Sequence, residues 1–146
     1  MPNDEPLQVT SRYGARVRNG QEEFHPGTDF VSWDLVKYVR LPILTPERIS
    51  VIAFNYDSSW GGILKMALLD HPEMGSIRYV HIMPLITLEQ GREIQAGKIV
   101  GYSMATAFMK SIGAAEHLHV EAYDVEGKIY DPLIYYDALK IKYKDY

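Results

Sequence analysis

The sequence predicts a mainly β, single-domain fold in which an antiparallel β-sheet or sandwich carries one short helical insertion near residues 103–113. Three observations support this prediction. The 146 residues suit one domain with a single hydrophobic core. Glycine and proline recur at short intervals, and the runs between them are short and rich in β-branched and aromatic residues. Such a succession of short strands and turns is typical of antiparallel β proteins.

Four runs are the best candidate strands, and they lie at residues 51–56, 62–70, 76–83 and 117–125. The segment HPEMG, residues 71–75, predicts a hairpin turn between the second and the third run.

Helix is expected in two places only. The run SMATAFMKSI, residues 103–112, is rich in alanine and methionine and is followed by Gly113, which is suited to a helix C-cap. The run YYDALKIKY, residues 135–143, predicts a shorter helix near the C-terminus. Residues 1–10 are expected to form an N-terminal arm or a lead-in strand, and residues 126–128 a second turn.

The composition narrows the function classes. A formal net charge of −4 and an isoelectric point of about 5.7 disfavour nucleic acid as the main partner. Glycine-rich phosphate-binding motifs are missing from the sequence. Because the chain has no cysteine, a metal site must use histidines and carboxylates. No run approaches the roughly 18 apolar residues of a membrane span, and the acidic, polar N-terminus does not resemble a signal peptide.

The run AEHLHVEAY, residues 115–123, contains two histidines separated by one residue. In a strand, residues two apart lie on the same face, about 6.5 Å from each other. His117, His119 and Glu121 are therefore expected to share one face, while the apolar residues between them face the core. By itself, this pattern also fits a solvated strand face that carries histidines by chance.

The run FHPGTDF, residues 24–30, contains a histidine and a carboxylate four residues apart. Pro26 and Gly27 argue against a helix here, and an extended strand would separate His25 from Asp29 by about 13 Å. A tight turn through the Pro-Gly pair is therefore expected to fold Asp29 back beside His25. The spacing alone is weak evidence, because such pairs also arise by chance.

Two further histidines lie in the predicted sheet region. Strand alternation in the run SIRYVHIM, residues 76–83, groups His81 with Ile77 and Tyr79, on the face opposite Arg78. A lone strand histidine usually has a structural or solvent-facing role. His71 lies in the predicted hairpin turn and is expected to be solvated or to stabilise the turn.

His25, Asp29 and His119 together form a set of three nitrogen and oxygen ligands, with His117 and His81 left over. Two histidines and one carboxylate with an open fourth position are a known arrangement of catalytic zinc. Zinc lowers the pKa of bound water to about 7 and polarises a carbonyl group. A neutral histidine nearby can take the proton of the water, and a second can stabilise the oxyanion. The helical HExxH motif is absent, which excludes a thermolysin-like site.

The motifs of this chain resemble, in the same order, those of the lysostaphin/LytM-type zinc metallopeptidases, a family of peptidoglycan endopeptidases. The resemblance covers roughly residues 11–133. The matching segments are SRYGAR (11–16) for S-x-F/Y-G-x-R, FHPGTDF (24–30) for H-P-G-x-D-F/L, the glycine-led strand, hairpin and Y-x-H strand of residues 60–82, LEQGREIQAGKIVGYS (88–103) for G-x-x-V-x-x-G-x-x-I/V-G, EHLHVEAY (116–123) for H-L-H-F-E, and KIYDPL (128–133) for the closing V-D/N-P.

This resemblance implies a small β-sheet fold whose active site lies in a groove across the sheet, with one zinc ion per chain. It implies that His25, Asp29 and His119 bind zinc and that His117 is the general base. His81 would stabilise the transition state or orient the attacking water. The implied substrates are peptide bonds in the stems or cross-bridges of peptidoglycan.

Two segments depart from the family pattern, and neither departure removes a ligand. The strand before the Gly-Gly pair, residues 41–54, lacks the common turn glycine. Residues 103–116 are longer than the short loop that usually precedes HLH, and we expect them to pack as a helix that, as a groove wall, would change substrate preference. Arg16 and Gly14 are assigned to scaffold or substrate positioning. Glu121 either orients a histidine from outside the metal sphere or is a solvated strand carboxylate.

The predicted organisation is an N-terminal arm (residues 1–10), a zinc metallopeptidase domain (11–133) and a C-terminal extension (134–146). The leading functional hypothesis is a zinc-dependent endopeptidase of peptidoglycan that acts outside the cytoplasm on the cell wall, whether extracellular, periplasmic or virion-associated. A phage-encoded lysis or virion enzyme is one expected origin, and a bacterial domain with a trimmed leader is the other. The expected partner is the peptidoglycan peptide, with neither nucleic acid nor membrane.

Two other classes compete with this hypothesis. The first is a non-catalytic structural or regulatory module that retains the fold. The second is a phosphohistidine carrier, since sugar-permease domains with a related β fold use two histidines. A carrier does not need Asp29 or the HPGTD turn, so their presence counts against that class.

Overall fold

The structure, a computed structural model, describes residues 7–34 and 40–145. Within these ranges the α-helices are α1 (Ala107–Ile112) and α2 (Pro132–Ala138), and one 3₁₀ turn spans Pro72–Met74. The strands of the described ranges are β1 (Leu7–Ser11), β2 (Gly14–Arg18), β3 (Gln21–His25), β4 (Thr28–Ser32), β5 (Pro42–Leu44), β6 (Ile49–Asp57), β7 (Gly61–Leu68), β8 (Ser76–Pro84), β9 (Glu93–Ile94), β10 (Ile99–Ser103), β11 (Leu118–Tyr123), β12 (Ile129–Tyr130) and β13 (Tyr143–Lys144).

Eleven of the described strands form one sheet, whose main path runs β13-β1-β4-β11-β8-β7-β6-β9. Strand β10 pairs with β8 and β5, and β12 pairs with β11. The described pairs are antiparallel except β1 with β13. Strands β2 and β3 form a separate hairpin. The mainly β, antiparallel prediction is therefore confirmed, and the four strongest candidate strands correspond to β6, β7, β8 and β11.

The two faces of the sheet differ in chemistry. One face packs into a single core, where Leu64, Ile77 and Val120 are buried. Helix α2 contributes to this core, since the ring of Tyr136 stacks on Phe30 with 5.2 Å between centroids. The opposite face of β7, β8 and β11 lines a cavity that the β2–β3 hairpin and α1 also border. The site residues predicted from the sequence line this cavity.

Helix α1 lies within the predicted insertion but begins at Ala107 instead of Ser103. Ser103 belongs to β10, where it pairs with Ile82 of β8. Thr106 then caps the helix, because its side chain accepts a hydrogen bond from the Met109 amide at 3.2 Å. Gly113 ends it with a left-handed φ of 69°, as its position predicts.

Helix α2 begins at Pro132, three residues before the predicted start at Tyr135. The Asp131 carboxylate accepts from the Leu133 amide at 3.0 Å, and Pro132 occupies a first-turn position in which a missing N–H costs nothing. The helix ends at Ala138, well short of the predicted 143, and Lys140 has a left-handed φ of 58°. Tyr143 instead pairs with Leu7 of β1.

The predicted N-terminal arm and C-terminal extension meet in this β1–β13 pair. Residues 1–6 and 146 lie outside the described residues, and the proposed domain boundaries remain a prediction. Within the predicted extension, Tyr135 and Tyr136 are buried, which fits packing of the tail onto the core. None of the helices in the described ranges has the length and apolarity needed to span a membrane.

Glu47 is a buried carboxylate between β5 and β6 that joins two other parts of the fold. It accepts hydrogen bonds from the Asp70 amide at 2.7 Å and from the His71 amide at 3.0 Å. The His71 ring lies 3.0 Å away, and the Tyr135 hydroxyl of α2 donates at 2.6 Å. The carboxylate therefore connects the β7–β8 turn to α2, and His71 has the turn-stabilising role considered above.

Replacing Glu47 with alanine should lower the free energy of unfolding by about 2–4 kcal/mol, because it leaves a buried hydroxyl and two amides without their acceptor. Urea denaturation of both proteins measures this difference. Glu73→Ala is the matched control, since Glu73 is an exposed carboxylate in the same turn and should change stability by less than about 0.5 kcal/mol. Equal effects of the two substitutions would contradict the structural role of Glu47.

Candidate metal centre

A cavity of about 660 Å³ lies over the second face of the sheet. Strands β3, β4, β8 and β11 converge on it, together with the residue that precedes β11. The side chains that line it include every site residue predicted from the sequence, namely His25, Asp29, His81, His117 and His119. These residues are spread over 95 positions of the chain, and the sheet brings them together.

His25, Asp29 and His119 form a compact cluster whose ligand atoms lie within 4.8 Å of one another. His25 Nε2 is 3.3 Å from Asp29 Oδ1, and His119 Nδ1 is 2.8 Å from the same oxygen. Asp29 lies directly opposite His119 in the β4–β11 pairing. Pro26 and Gly27 join β3 to β4, so the chain folds Asp29 back beside His25 as the Pro-Gly pair predicts.

In both histidines of this cluster, the ring nitrogen that points away from the cluster forms a hydrogen bond that orients the ring. His25 Nδ1 donates to the Arg12 carbonyl at 2.9 Å, which directs Nε2 at the cluster. His119 Nε2 lies 2.8 Å from Glu121 Oε2, which directs Nδ1 at Asp29. A metal-ligating histidine generally donates its second N–H to a carbonyl or a carboxylate in this way.

The electrostatics of the cluster favour a cation between the carboxylates. Burial raises the pKa of Asp29, but hydrogen bonds with His119 and His25 outweigh burial and hold that pKa well below its usual range. Burial lowers the pKa of His119, yet its bonds to Asp29 and Glu121 raise it to about 9. In the metal-free protein at neutral pH, His119 is therefore an imidazolium between two carboxylates.

His81 and His117 face each other beside this cluster, with 5.0 Å between ring centroids. Each donates Nδ1–H to a backbone carbonyl: His81 to Trp60 at 2.7 Å, and His117 to Ala115 at 2.8 Å. In both rings Nε2 is then free to accept a proton. His117 Nε2 lies 3.7 Å from Asp29 Oδ2. Burial is the main cause that lowers the pKa of His81 to about 4, so this ring is neutral at pH 7.

His81 reaches the cavity because it sits in a β-bulge. The pairing of β7 with β8 passes from Ile63–Val80 directly to Gly62–Ile82, so His81 is the extra residue. Its φ of 74° lies in the left-handed region, which is unusual for a residue other than glycine. The predicted grouping of His81 with Ile77 and Tyr79 is therefore wrong, because the bulge shifts the alternation and turns the imidazole to the face of Arg78.

Glu121 is buried and is not a solvated strand carboxylate. Besides His119, it accepts from the Tyr123 hydroxyl at 2.6 Å, and the Arg78 guanidinium lies 2.9 Å away. Burial raises the pKa of Glu121, but the bonds from His119 and Tyr123 outweigh burial and lower it. This charged partner holds the ring of His119 in a fixed orientation.

Gly27 is required because the chain passes directly against His119. A Cβ atom at this position would lie 2.3 Å from the Val120 carbonyl oxygen and 2.8 Å from His119 Nε2. Any side chain here would displace either the strand or the ring. The glycine of the HPGTD run therefore has a steric role, which adds to the turn formation considered from the sequence.

Sequence reasoning missed the contribution of Trp60. Its carbonyl orients His81, and its ring stacks on the same imidazole with 6.0 Å between centroids. The one signal in the sequence for this contribution is the position of Trp60 directly before the Gly-Gly pair. The role of Tyr123 follows from strand alternation along β11, so that signal was present in the sequence. The role of Arg78 depends on the pairing of β8 with β11, which places it opposite Glu121.

The donor set fits zinc. Two imidazole nitrogens and one carboxylate oxygen converge, with no thiolate. The second nitrogen of each ring is held by its own hydrogen-bond partner, so the two ligand nitrogens are directed at a common point. Two further imidazoles stand beside this point without belonging to the cluster. The arrangement can therefore hold a divalent metal and move a proton next to it. The assignment of individual roles remains a prediction.

Comparison with known proteins supports the fold. Neither the family models nor the curated proteins give a match to the sequence. Among solved structures, the chain is similar to one described as the SpoIIQ–SpoIIIAH pore-forming complex, with a TM-score of 0.69 and 17% identity over 92% of this chain and 87% of that one.

Two similar structures are peptidases. A zinc-containing peptidase from Vibrio cholerae gives a TM-score of 0.66 and 21% identity, with coverage of 88% of this chain and 38% of that one. Lysostaphin gives a TM-score of 0.60 and 21% identity, with coverage of 94% and 52%. The fold is thus that of the lysostaphin/LytM-type peptidases, and at these identities the likeness shows the fold alone.

The bulge at His81 leads to a stability prediction. His81→Val should unfold about 1–2 kcal/mol more easily than His81→Asn, because β-branched residues avoid positive φ whereas asparagine tolerates it. Chemical denaturation of the two variants measures the difference. The control pair is Met83→Val and Met83→Asn, at an exposed position of the same strand, where valine should be the better residue. The same order of stability at both positions would contradict the bulge.

Proposed function

We propose that this protein is a zinc-dependent endopeptidase of the lysostaphin/LytM type that hydrolyses peptide bonds of bacterial peptidoglycan. The observation that carries the proposal is the division of four cavity histidines into two pairs. His25 and His119 direct a ring nitrogen at Asp29, whereas His81 and His117 each hold an accepting nitrogen beside that cluster. A metal site with adjacent proton acceptors is what metal-assisted hydrolysis requires.

Zinc held by His25, Asp29 and His119 would polarise the scissile carbonyl and acidify a water molecule. The protein itself supplies orientation. The Arg12 carbonyl fixes the ring of His25, and Glu121 fixes that of His119. These partners keep each ligand nitrogen in place, so that little side-chain freedom is lost when the ion binds.

His117 is assigned as the general base. Its Nδ1–H is committed to the Ala115 carbonyl, and its Nε2 faces the cavity near Asp29. This nitrogen takes the proton that the attacking water loses as the new C–O bond forms. When the C–N bond breaks, the same ring returns the proton to the leaving amine.

His81 is assigned to orienting the water. Its ring is neutral at pH 7, and its only N–H points to the Trp60 carbonyl, so Nε2 accepts a hydrogen bond. A ring in this state positions the O–H of a water molecule and does not donate to an oxyanion. Of the two roles that the resemblance implied for His81, water orientation is the one that this geometry favours.

The proposal extends to place and partner. The substrate is the peptide part of peptidoglycan, so the protein acts outside the cytoplasm on the cell wall, as a phage lysis or virion enzyme does. The likeness to lysostaphin and to a zinc-containing peptidase supports this interpretation. Zinc itself is proposed from the donor set together with that likeness.

A second candidate is a non-catalytic module that retains the fold and binds a protein partner. The likeness to the SpoIIQ–SpoIIIAH complex favours it. Zinc content separates the two candidates. Purified protein that is supplied with zinc and then dialysed should keep one ion per chain if it is an enzyme, and far less than one ion would remove the basis of the peptidase proposal.

The direct test is clearing of a peptidoglycan suspension, followed as loss of turbidity. A chelator should abolish clearing, and added zinc should restore it, because the cluster of His25, Asp29 and His119 holds the ion. Mass spectrometry of the released fragments identifies the bond that is cut. Clearing that persists in excess chelator would refute the metal-dependent mechanism.

The two histidines of the HLH run should separate metal binding from proton transfer. His119→Ala is expected to lose zinc, because it removes a ligand. His117→Ala should keep zinc but lower turnover by about 10²–10⁴-fold, the usual contribution of a general base. Zinc content and turnover measured on the same samples test both statements. Full activity in both variants would show that these assignments are wrong.

A further inference from the structure

One wall of the cavity is aromatic and is built by the insertion before β11. Phe108 of α1 packs its ring on Trp60 with 4.2 Å between centroids, and its amide donates to the Ser59 carbonyl at 3.0 Å. Trp60 also stacks on His81. Both aromatic rings and Ile112 line the cavity, and Trp60 and Ile112 remain 40% and 38% exposed. Apolar surface left open inside a functional cavity indicates recognition of an apolar group.

The β2–β3 hairpin places positive charge at the same end of the cavity. Arg16 Nε and Arg18 Nε lie 3.1 Å and 2.8 Å from the same oxygen of Glu23. The Arg18 guanidinium is 5.9 Å from the centre of the Phe108 ring, so it reaches across to the aromatic wall. Arg16 also donates to the Ser11 hydroxyl and lies 4.0 Å from Asp29 Oδ2, whereas Arg18 shares its carboxylate, that of Glu23, with Arg16. Arg18 is therefore the guanidinium with capacity to bind an added anion.

We propose that Trp60, Phe108 and Arg18 form a subsite for a substrate residue with a methyl side chain, such as alanine, that lies close to a free carboxylate of the same substrate. This inference rests on the proposed endopeptidase function and names its substrate class: the stem peptide, which carries alanine and free carboxylates, and not a glycine-only cross-bridge. Glycine has no side chain to cover the aromatic wall, and a neutral bridge offers no carboxylate to the hairpin. A hydrophobic pocket distinguishes a single methyl group by about 10- to 200-fold.

Two features of the aromatic wall indicate that it selects the substrate and does not merely enclose the cavity. Helix α1 is capped at both ends and is bonded to the β6–β7 turn, so Phe108 is held in place. The aromatic ring of Trp60 bridges Phe108 and His81, so a side chain seated on the wall lies next to the proposed water-orienting histidine. Contacts on the wall therefore position the substrate relative to the reacting groups.

Peptide binding provides a test that does not depend on turnover. The zinc-loaded His117→Ala variant binds without efficient cleavage, and Trp60 reports on the wall by fluorescence once Trp33, the other tryptophan, is replaced by phenylalanine. The probes are the stem-type peptide L-Ala-D-Glu-L-Lys-D-Ala, its form with both free carboxyl groups amidated, and pentaglycine with an amidated C-terminus, which has no free carboxylate and is called pentaglycine below. The stem peptide should bind with a Kd at least about 10-fold below that of pentaglycine and should shift the Trp60 emission.

Variants assign this preference to the wall and to the charge. In the same background, Phe108→Ala should raise the Kd of the stem peptide by about 10-fold and leave that of pentaglycine within about twofold. Arg18→Gln should raise the Kd of the acidic stem peptide but not that of its amidated form. Ile112→Ala repeats the test of the wall with a more exposed side chain, should Phe108→Ala fail to fold. Val125→Ala, at an exposed turn residue outside the cavity lining, should change nothing.

Failure of this inference can be distinguished from failure of the proposed function. Equal affinity for the stem peptide and pentaglycine, or equal weakening of both by Phe108→Ala, overturns the subsite. Cleavage of glycine bridges but not stem peptides by the zinc-loaded protein overturns the subsite and leaves the endopeptidase standing. Selective binding of the stem peptide without cleavage of any peptide overturns the endopeptidase and leaves the subsite standing.

Discussion

The structure of the site depends on one buried carboxylate, that of Asp29. It lies 2.8 Å from His119, 3.3 Å from His25 and 3.7 Å from His117, and it is almost removed from solvent. A buried charge is stable only when donors or a cation surround it. Three imidazoles must therefore converge on this carboxylate, and the β4–β11 pairing supplies the closest of them by placing His119 directly opposite.

The other hydrogen bonds of the site hold, in each histidine, the ring nitrogen that points away from the cavity. Backbone carbonyls of Arg12, Trp60 and Ala115 accept one N–H each from three of the histidines, and Glu121 holds the fourth. Because each ring has one nitrogen committed in this way, the other nitrogen faces the cavity. The left-handed backbone at His81 is the conformational cost of bringing the fourth ring to the site.

The walls and the floor of the cavity are built from different elements and have different proposed roles. The floor consists of strands of the main sheet and carries Asp29, His81 and His119, with His117 directly before β11. The walls consist of α1 with Trp60 on one side and the β2–β3 hairpin on the other, and no described sheet pairing joins that hairpin to the main sheet. The separation is incomplete, because the hairpin also carries His25 and the Trp60 carbonyl also orients His81. The side chain of Phe108 has no such contact with the cluster, so its substitution is the change expected to alter substrate preference without moving the cluster around Asp29.

The sequence by itself determined the mainly β fold, the helical insertion and the turn that brings Asp29 back beside His25, because these are local patterns. That the HPGTD and HLH runs and His81 belong to one site was predicted by the family resemblance of the motifs and not by any local pattern. The sequence did not determine the bulge at His81, since the left-handed φ arises from the pairing of β7 with β8. It also left open whether Glu121 was solvated and which residues form the walls. Those properties depend on contacts between distant segments, such as Trp60 with Phe108 and His119 with Asp29, and only the tertiary structure decides which distant segments pack together.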